Sequence, residues 1–116
     1  MTAINLTAEE VAHGLKSDSI LLIDVREPGE YAAERIHGAL LFPISTFDPN
    51  ALPDCGKRKV VFHCGSGIRS AKAVAACQKA GLPHDCHLKG GIQAWKAAGL
   101  PIITADPATG KPRDRG

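Results

Sequence analysis

Four cysteines are the residues of this 116-residue chain best suited to covalent chemistry: Cys55, Cys64, Cys77 and Cys86. A cysteine reacts as its thiolate, so the reactive one is the one whose surroundings favour the anion. Cys64 has surroundings that the other three lack. It follows the apolar run Val60-Val61-Phe62-His63 and precedes Gly65-Ser66-Gly67-Ile68-Arg69. The Ala-rich stretch from Ser70 to Ala80 then reads as a helix closed by Gly81 and Pro83. A strand, a cysteine, a glycine-rich loop and a helix put Cys64 beyond the carboxyl end of a strand, where sites form in open α/β sheets. The amides of Gly65 through Arg69 can curl around the sulfur, because Gly65 and Gly67 tolerate unusual dihedrals. The unpaired amides and dipole of the following helix favour an anion at the same spot. Arg69 adds a fixed positive charge close by. A strand-end cysteine alone would read as a small buried hydrophobe. The convergence of glycines, Arg69 and a helix start reads as a stabilised thiolate or persulfide.

The other candidates are weaker. No pair of cysteines has C-x-x-C spacing, so the usual zinc and dithiol patterns are absent. His84, Cys86 and His87 lie close together but match no standard metal-ligand spacing, and read as a polar loop entering a strand. His63 adjoins Cys64, yet successive strand residues face opposite ways, which argues against a Cys–His pair. Cys77 falls in mid-helix and reads as core.

These residues need a frame to hold them. Thr7-Ala8-Glu9-Glu10 has the form of a capping box, and a helix follows with Val11 and Leu15 on one face, ending near Lys16-Ser17. Ile20 to Ile23 is apolar without alternation, as a strand covered on both faces must be. Glu27 to Ala33 is a short helix with Pro28 in its first turn. Ala39 to Phe42 is the next apolar run, stopped by Pro43, and Ser45 to Gly56 is loop. The run Lys57-Arg58-Lys59 reads as a solvated approach to the Val60 strand. Cys86-His87-Leu88 is a weak strand, Gly90-Gly91 breaks the chain, Ile92 to Ala98 is helical, and Pro101-Ile102-Ile103 is a last edge strand. From Asp106 onward the chain is polar, with two prolines and two glycines, and reads as a loose tail. Strands alternating with helices predict a three-layer α/β domain over residues 1–105 with a tail over 106–116.

Composition excludes several classes. A net charge of +2 and 4% aromatic residues do not suit a nucleic-acid binder. No apolar stretch approaches a membrane span. The N-terminal Met1-Thr2-Ala3-Ile4-Asn5 has no basic segment followed by an apolar run, which predicts a cytoplasmic chain. Free thiols fit that compartment better than disulfides do.

Three segments resemble the rhodanese family, in order and across most of the chain. Cys64-Gly65-Ser66-Gly67-Ile68-Arg69 is similar to the family's six-residue active-site loop. Asp24-Val25-Arg26-Glu27, Glu30-Tyr31 and Ile36-His37-Gly38-Ala39 resemble its first signature. Leu88-Lys89-Gly90-Gly91-Ile92 with Trp95 resembles its C-terminal one. The resemblance implies a rhodanese-like domain with a five-stranded, mostly parallel sheet and helices on both faces. It implies a sulfurtransferase in which Cys64 takes a sulfane sulfur from a small donor, thiosulfate or a persulfide, and passes it to cyanide or a thiol. It implies no metal, nucleotide, flavin or other cofactor. Asp24 and Arg26 have two readings, as supports of the loop or as a structural ion pair. His37-Gly38 reads as a turn before a strand, and Trp95 as packing.

Two other classes compete. Cysteine phosphatases and arsenate reductases place five residues between Cys and Arg, whereas four separate Cys64 from Arg69. The shorter loop suits one sulfur rather than a tetrahedral oxyanion. A non-catalytic rhodanese-like binding or sulfur-carrier module is the second, but such modules often lack the cysteine kept here. The donor stays open. Cys64-Gly65-Ser66-Gly67 is similar to the loop of mercaptopyruvate sulfurtransferases, while Arg69 and the single domain favour thiosulfate or a persulfide.

Overall fold

The computed structural model describes residues 3–106 and 108–115. Its elements in chain order are β1 (Ile4–Leu6), α1 (Ala8–Lys16), β2 (Ile20–Asp24), α2 (Pro28–Ala33), β3 (Glu34–Arg35), β4 (Leu40–Leu41), β5 (Lys59–His63), α3 (Ile68–Lys79), β6 (Cys86–Leu88), α4 (Gly91–Ala97), β7 (Ile102–Ala105) and β8 (Pro112–Arg115). Two short 3-10 turns, Ile44–Thr46 and Pro49–Ala51, interrupt the loop before β5. Among the described residues, no helix is long and apolar enough to cross a membrane.

Five strands form a parallel sheet in the order β1-β6-β5-β2-β4. Helices cover both of its faces. Because side chains alternate along a strand, β2 and β5 feed two cores. Leu21, Ile23, Val60 and Phe62 pack with Ala73, Val74 and Cys77 of α3. Leu22, Val61 and Leu88 pack with Val11 of α1 and with Ile92 and Trp95 of α4. This is the expected three-layer α/β domain with its five-stranded sheet. Thr7 and Glu10 form the expected capping box, each side chain accepting the other's backbone N–H at 3.1 and 2.9 Å.

Some local expectations change. Ala39 to Phe42 contributes only two residues to the sheet, at an edge. β1 was not expected; three residues at a sheet edge carry too little pattern to show a period. Ile102–Ala105 is a strand as expected, but it belongs to a separate antiparallel sheet, β3-β7-β8. The stretch read as a loose tail supplies β8. Asp106 Oδ1 accepts the Ala108 N–H at 2.9 Å, and Gly110 at φ +73° gives its N–H to the Asp106 carbonyl, so the chain turns back and pairs with β7. Its polar composition suits an exposed hairpin arm, and backbone pairing does not require apolar side chains.

The glycine pair before α4 brings that helix against the loop after β5. The Ile92 and Gln93 N–H groups donate to the carbonyls of Cys64 and Gly65 at 2.8 and 3.2 Å. Gly91 has φ +59°, and a Cβ there would overlap the Cys64 carbonyl oxygen and the Gly65 backbone. Gly91→Ala should therefore cost about 2–4 kcal/mol, the sum of left-handed strain and backbone displacement. Gly81→Ala, at φ +78° with open space around it, should cost about 1 kcal/mol. Urea unfolding of the two variants checks this; equal midpoints would contradict the close approach.

Candidate active site

Cys64 follows β5 directly, and its residue surface is 1% exposed. Its Sγ accepts the Gly67 N–H at 3.1 Å and the Ser70 N–H at 3.3 Å. The helix starts earlier than expected: Ile68 and Arg69, read as loop, are the first two residues of α3. Ser70 is thus the third helical residue, whose amide an N-cap side chain normally satisfies. The N-cap here is Gly67, which has no side chain to do so, and the Cys64 sulfur takes that place. Gly67 reaches this position at φ +112°, a conformation that favours glycine. Burial pushes the Cys64 thiol up. The Ser70 amide and hydroxyl, then the Gly67 and Ser66 amides, outweigh it and leave the thiol below its usual range.

A polar chain runs away from the sulfur on the same face. Ser70 Oγ lies 3.6 Å from Cys64 Sγ, 3.2 Å from the Gly67 carbonyl and 2.8 Å from His87 Nδ1. His87 Nε2 lies 2.7 Å from Asn5 Oδ1. Asn5 and His87 are register partners in the β1–β6 pairing, so the sheet itself sets that contact.

Arg69, expected as a fixed positive charge near the sulfur, is paired with a carboxylate. Its guanidinium forks onto Glu30 of α2, with Nη1–Oε1 at 2.6 Å and Nη2–Oε2 at 3.0 Å. That hydrogen bonding holds the Glu30 carboxyl at about 2, against the opposing pull of burial. A Cβ on Gly65 would lie 3.2 Å from Arg69 Nη2, so the guanidinium folds across the start of the loop. Ser66 and Ile68 form the exposed rim.

Asp24 and Arg26 form a buried ion pair, with Arg26 Nη2 2.8 Å from Asp24 Oδ2. The same Nη2 donates to the Glu34 carbonyl at 2.6 Å, tying β2 to β3. His63 joins this group: its Nε2 is 3.4 Å from Asp24 Oδ2, and its Nδ1 is 3.3 Å from the Cys64 carbonyl. Burial lowers its pKa. Its ring nitrogens therefore face Asp24 and a backbone carbonyl, in keeping with strand alternation. His37 and Gly38 form a turn, with Gly38 at φ +89° and the Ala39 N–H donating to Ile36 O at 3.1 Å. Trp95 is buried and gives its Nε1–H to the Pro101 carbonyl at 2.8 Å. Burial raises the thiol of Cys77, to about 11, and that of Cys86. Cys55 lines a cavity of about 290 Å³ with Lys57, Arg58, Lys59 and His84, at the amino end of β5 and so away from Cys64.

The structure places Cys64, Gly65, Ser66 and Gly67 between β5 and α3, Ile68 and Arg69 in the first turn of α3, and Asp24 and Arg26 in their own ion pair. Sequence reasoning missed Ser70, Glu30, His87 and Asn5 as neighbours of the loop. Ser70 had a usable signal, a hydroxyl in the first turn of the helix. The other three arrive from 39 or more residues away in the chain, or through another side chain.

Known proteins share this architecture. The chain is 35% identical over 102 residues to the uncharacterized protein slr1261 of Synechocystis; the match covers 88% of this chain and 57% of that protein. It is 37% identical over 91 residues to a sulfurtransferase of Allochromatium vinosum, covering 78% of this chain and 84% of the relative. The crystal structure of a rhodanese-related protein from Thermoplasma volcanium superposes with a TM-score of 0.71 at 30% identity, covering 89% of this chain and 98% of that one. The family model described as "Rhodanese-like domain" matches residues 7–98. The chain belongs to the rhodanese-like domain family.

Proposed function

We propose that this chain is a sulfurtransferase that carries sulfane sulfur as a persulfide on Cys64, taking it from thiosulfate or an organic persulfide and giving it to a thiophilic acceptor. The observation that carries the reading is the seat of the sulfur, which accepts the Gly67 and Ser70 amides. Such a seat favours an anion, whether the thiolate or the terminal sulfur of a persulfide. The Allochromatium relative, named a sulfurtransferase, supports the same reading.

The chemistry is two displacements. The Cys64 thiolate attacks the outer sulfur of thiosulfate; a new S–S bond forms, the old one breaks, and sulfite leaves with the bonding pair. Cyanide or a thiolate then attacks the terminal sulfur, and Cys64 leaves as the thiolate. The Arg69–Glu30 pairing favours the organic persulfide of the two donors. With Arg69 already forked onto a carboxylate, the loop amides rather than a free cation must attract a donor, and thiosulfate carries two charges. A reducing, cytoplasmic setting belongs to the same proposal, since the thiols are free.

Incubation with donor should add about 32 mass units to the protein, and cyanide should remove them. Cys64→Ser should lose both the adduct and turnover; adduct retained in that variant would contradict the assignment.

Arg69 is tested by two replacements. The pair with Glu30 is partly exposed, so its loss is worth about 1 kcal/mol, which becomes about fivefold in turnover where the loop order it supplies is needed in the transition state. Because only a planar fork reproduces it, Arg69→Lys should lose as much as Arg69→Ala. Full activity in the lysine variant would instead make charge attraction its role.

A further inference from the structure

We infer that His87, held by Asn5, is a positioning residue that takes the Cys64 proton through the Ser70 hydroxyl. The inference rests on Cys64 being the reacting thiol. It follows from the direction of each hydrogen bond in the chain Cys64–Ser70–His87–Asn5. Asn5 Oδ1 can only accept, so His87 Nε2, 2.7 Å away, carries its hydrogen. In the neutral ring Nδ1 is then an acceptor, and Ser70 Oγ, 2.8 Å away, gives it the hydroxyl hydrogen. That leaves the Ser70 lone pairs to receive the Cys64 S–H at 3.6 Å. The Gly67 carbonyl, 3.2 Å from Ser70 Oγ, is the longer of two acceptors for the one hydroxyl hydrogen and already receives the Ala71 N–H, so His87 Nδ1 takes that hydrogen; Ser70 and His87 are both buried.

The transfer balances. The Cys64 S–H bond breaks and its proton joins Ser70 Oγ, while the original Ser70 hydroxyl proton moves to His87 Nδ1. The products are a thiolate, a neutral serine and an imidazolium, with no net change of charge. All three hydrogen bonds survive: Ser70 now donates to sulfur, Nδ1–H donates to Ser70, and Nε2–H still donates to Asn5. The groups facing the ring are Asn5 from β1, Ser70 from α3 with the Cys64 thiol behind it, and Gly67, where a Cβ would lie 4.0 Å from the ring's Cε1. Burial is what lowers the pKa of His87, which keeps the ring neutral and able to accept. Cys64 itself faces the loop amides and, at longer range, Arg69 with its Glu30 partner. His63 is not a competitor for this part, since its nitrogens face Asp24 and a carbonyl.

The test is the pH profile of Cys64 alkylation in a Cys55→Ser background, with thermal midpoints recorded for each variant. His87→Gln keeps an acceptor for Ser70 but no base, and should raise the alkylation midpoint by about one unit, a tenfold loss of thiolate below it. Asn5→Asp holds the imidazolium more firmly and should lower the midpoint. A merely structural part would change thermal stability without moving the two midpoints in opposite directions. An unchanged midpoint in both variants overturns the inference. So does a lower midpoint in His87→Gln, which would mean that the ring only competes with sulfur for the Ser70 proton. Should either variant fail to fold, the ring 15N signals of the unsubstituted protein decide. They should show the Nε2–H tautomer, with a protonation midpoint that falls once Cys64 is alkylated. An Nδ1–H tautomer or an unmoved midpoint overturns the inference. If no persulfide forms on the unsubstituted protein while the midpoints move as stated, the sulfur-transfer reading fails and the relay stands.

Discussion

A sulfur anion withdrawn from water must find hydrogen-bond donors, and this constraint organises the molecule around Cys64. Burial alone drives the thiol toward its neutral form. The offset comes from backbone N–H groups at the start of α3, left without carbonyl partners because a helix begins there. For two of them to meet at one sulfur, β5 must end at Cys64, Gly67 must take a left-handed conformation, and α3 must begin at Ile68. α4 then fixes the Cys64 and Gly65 carbonyls from behind. The glycines are therefore geometric requirements: Gly67 aims an amide, and Gly91 lets one backbone approach another.

The pleat of the parallel sheet separates chemistry from support. Cys64 faces the α3 layer, where its partners are amides, a hydroxyl and, one step further, a neutral imidazole. His63 and Asp24, register partners on β5 and β2, stand with Arg26 in a separate charged group. A buried pair of this kind is weak as a source of net stability. Its geometry gives it another use, since Arg26 ties β2 to β3 through the Glu34 carbonyl. Glu30 lies on α2, just before β3, so the same region also fixes the carboxylate that holds Arg69.

The sequence made the sulfur and its loop legible because their cues are local. An apolar strand, a cysteine, two glycines and a helix former lie within about twenty residues, and each has a conformational meaning of its own. The central strands were legible for the same reason, being continuously apolar where both faces are covered. Partners fixed by register were not. Asn5 meets His87 across 82 residues, and nothing in Ile4-Asn5-Leu6 marks it as a strand. Arg69 illustrates a different limit: its charge and place were plain, but the carboxylate that occupies it comes from 39 residues away. β8 was missed because backbone pairing, not apolar patterning, holds it.

The account depends on amides outweighing burial at Cys64. Lowering a thiol on folding also makes stability depend on pH. The contribution is fully present above the unfolded thiol's midpoint and is lost as pH falls through the folded one. The most direct measurement is the ultraviolet thiolate absorbance of Cys64 against pH, in folded protein with Cys55, Cys77 and Cys86 replaced by serine or alanine. A midpoint below the about 8.5 of a free thiol is the result predicted here. A midpoint at or above that value would mean that burial wins, and would contradict the account.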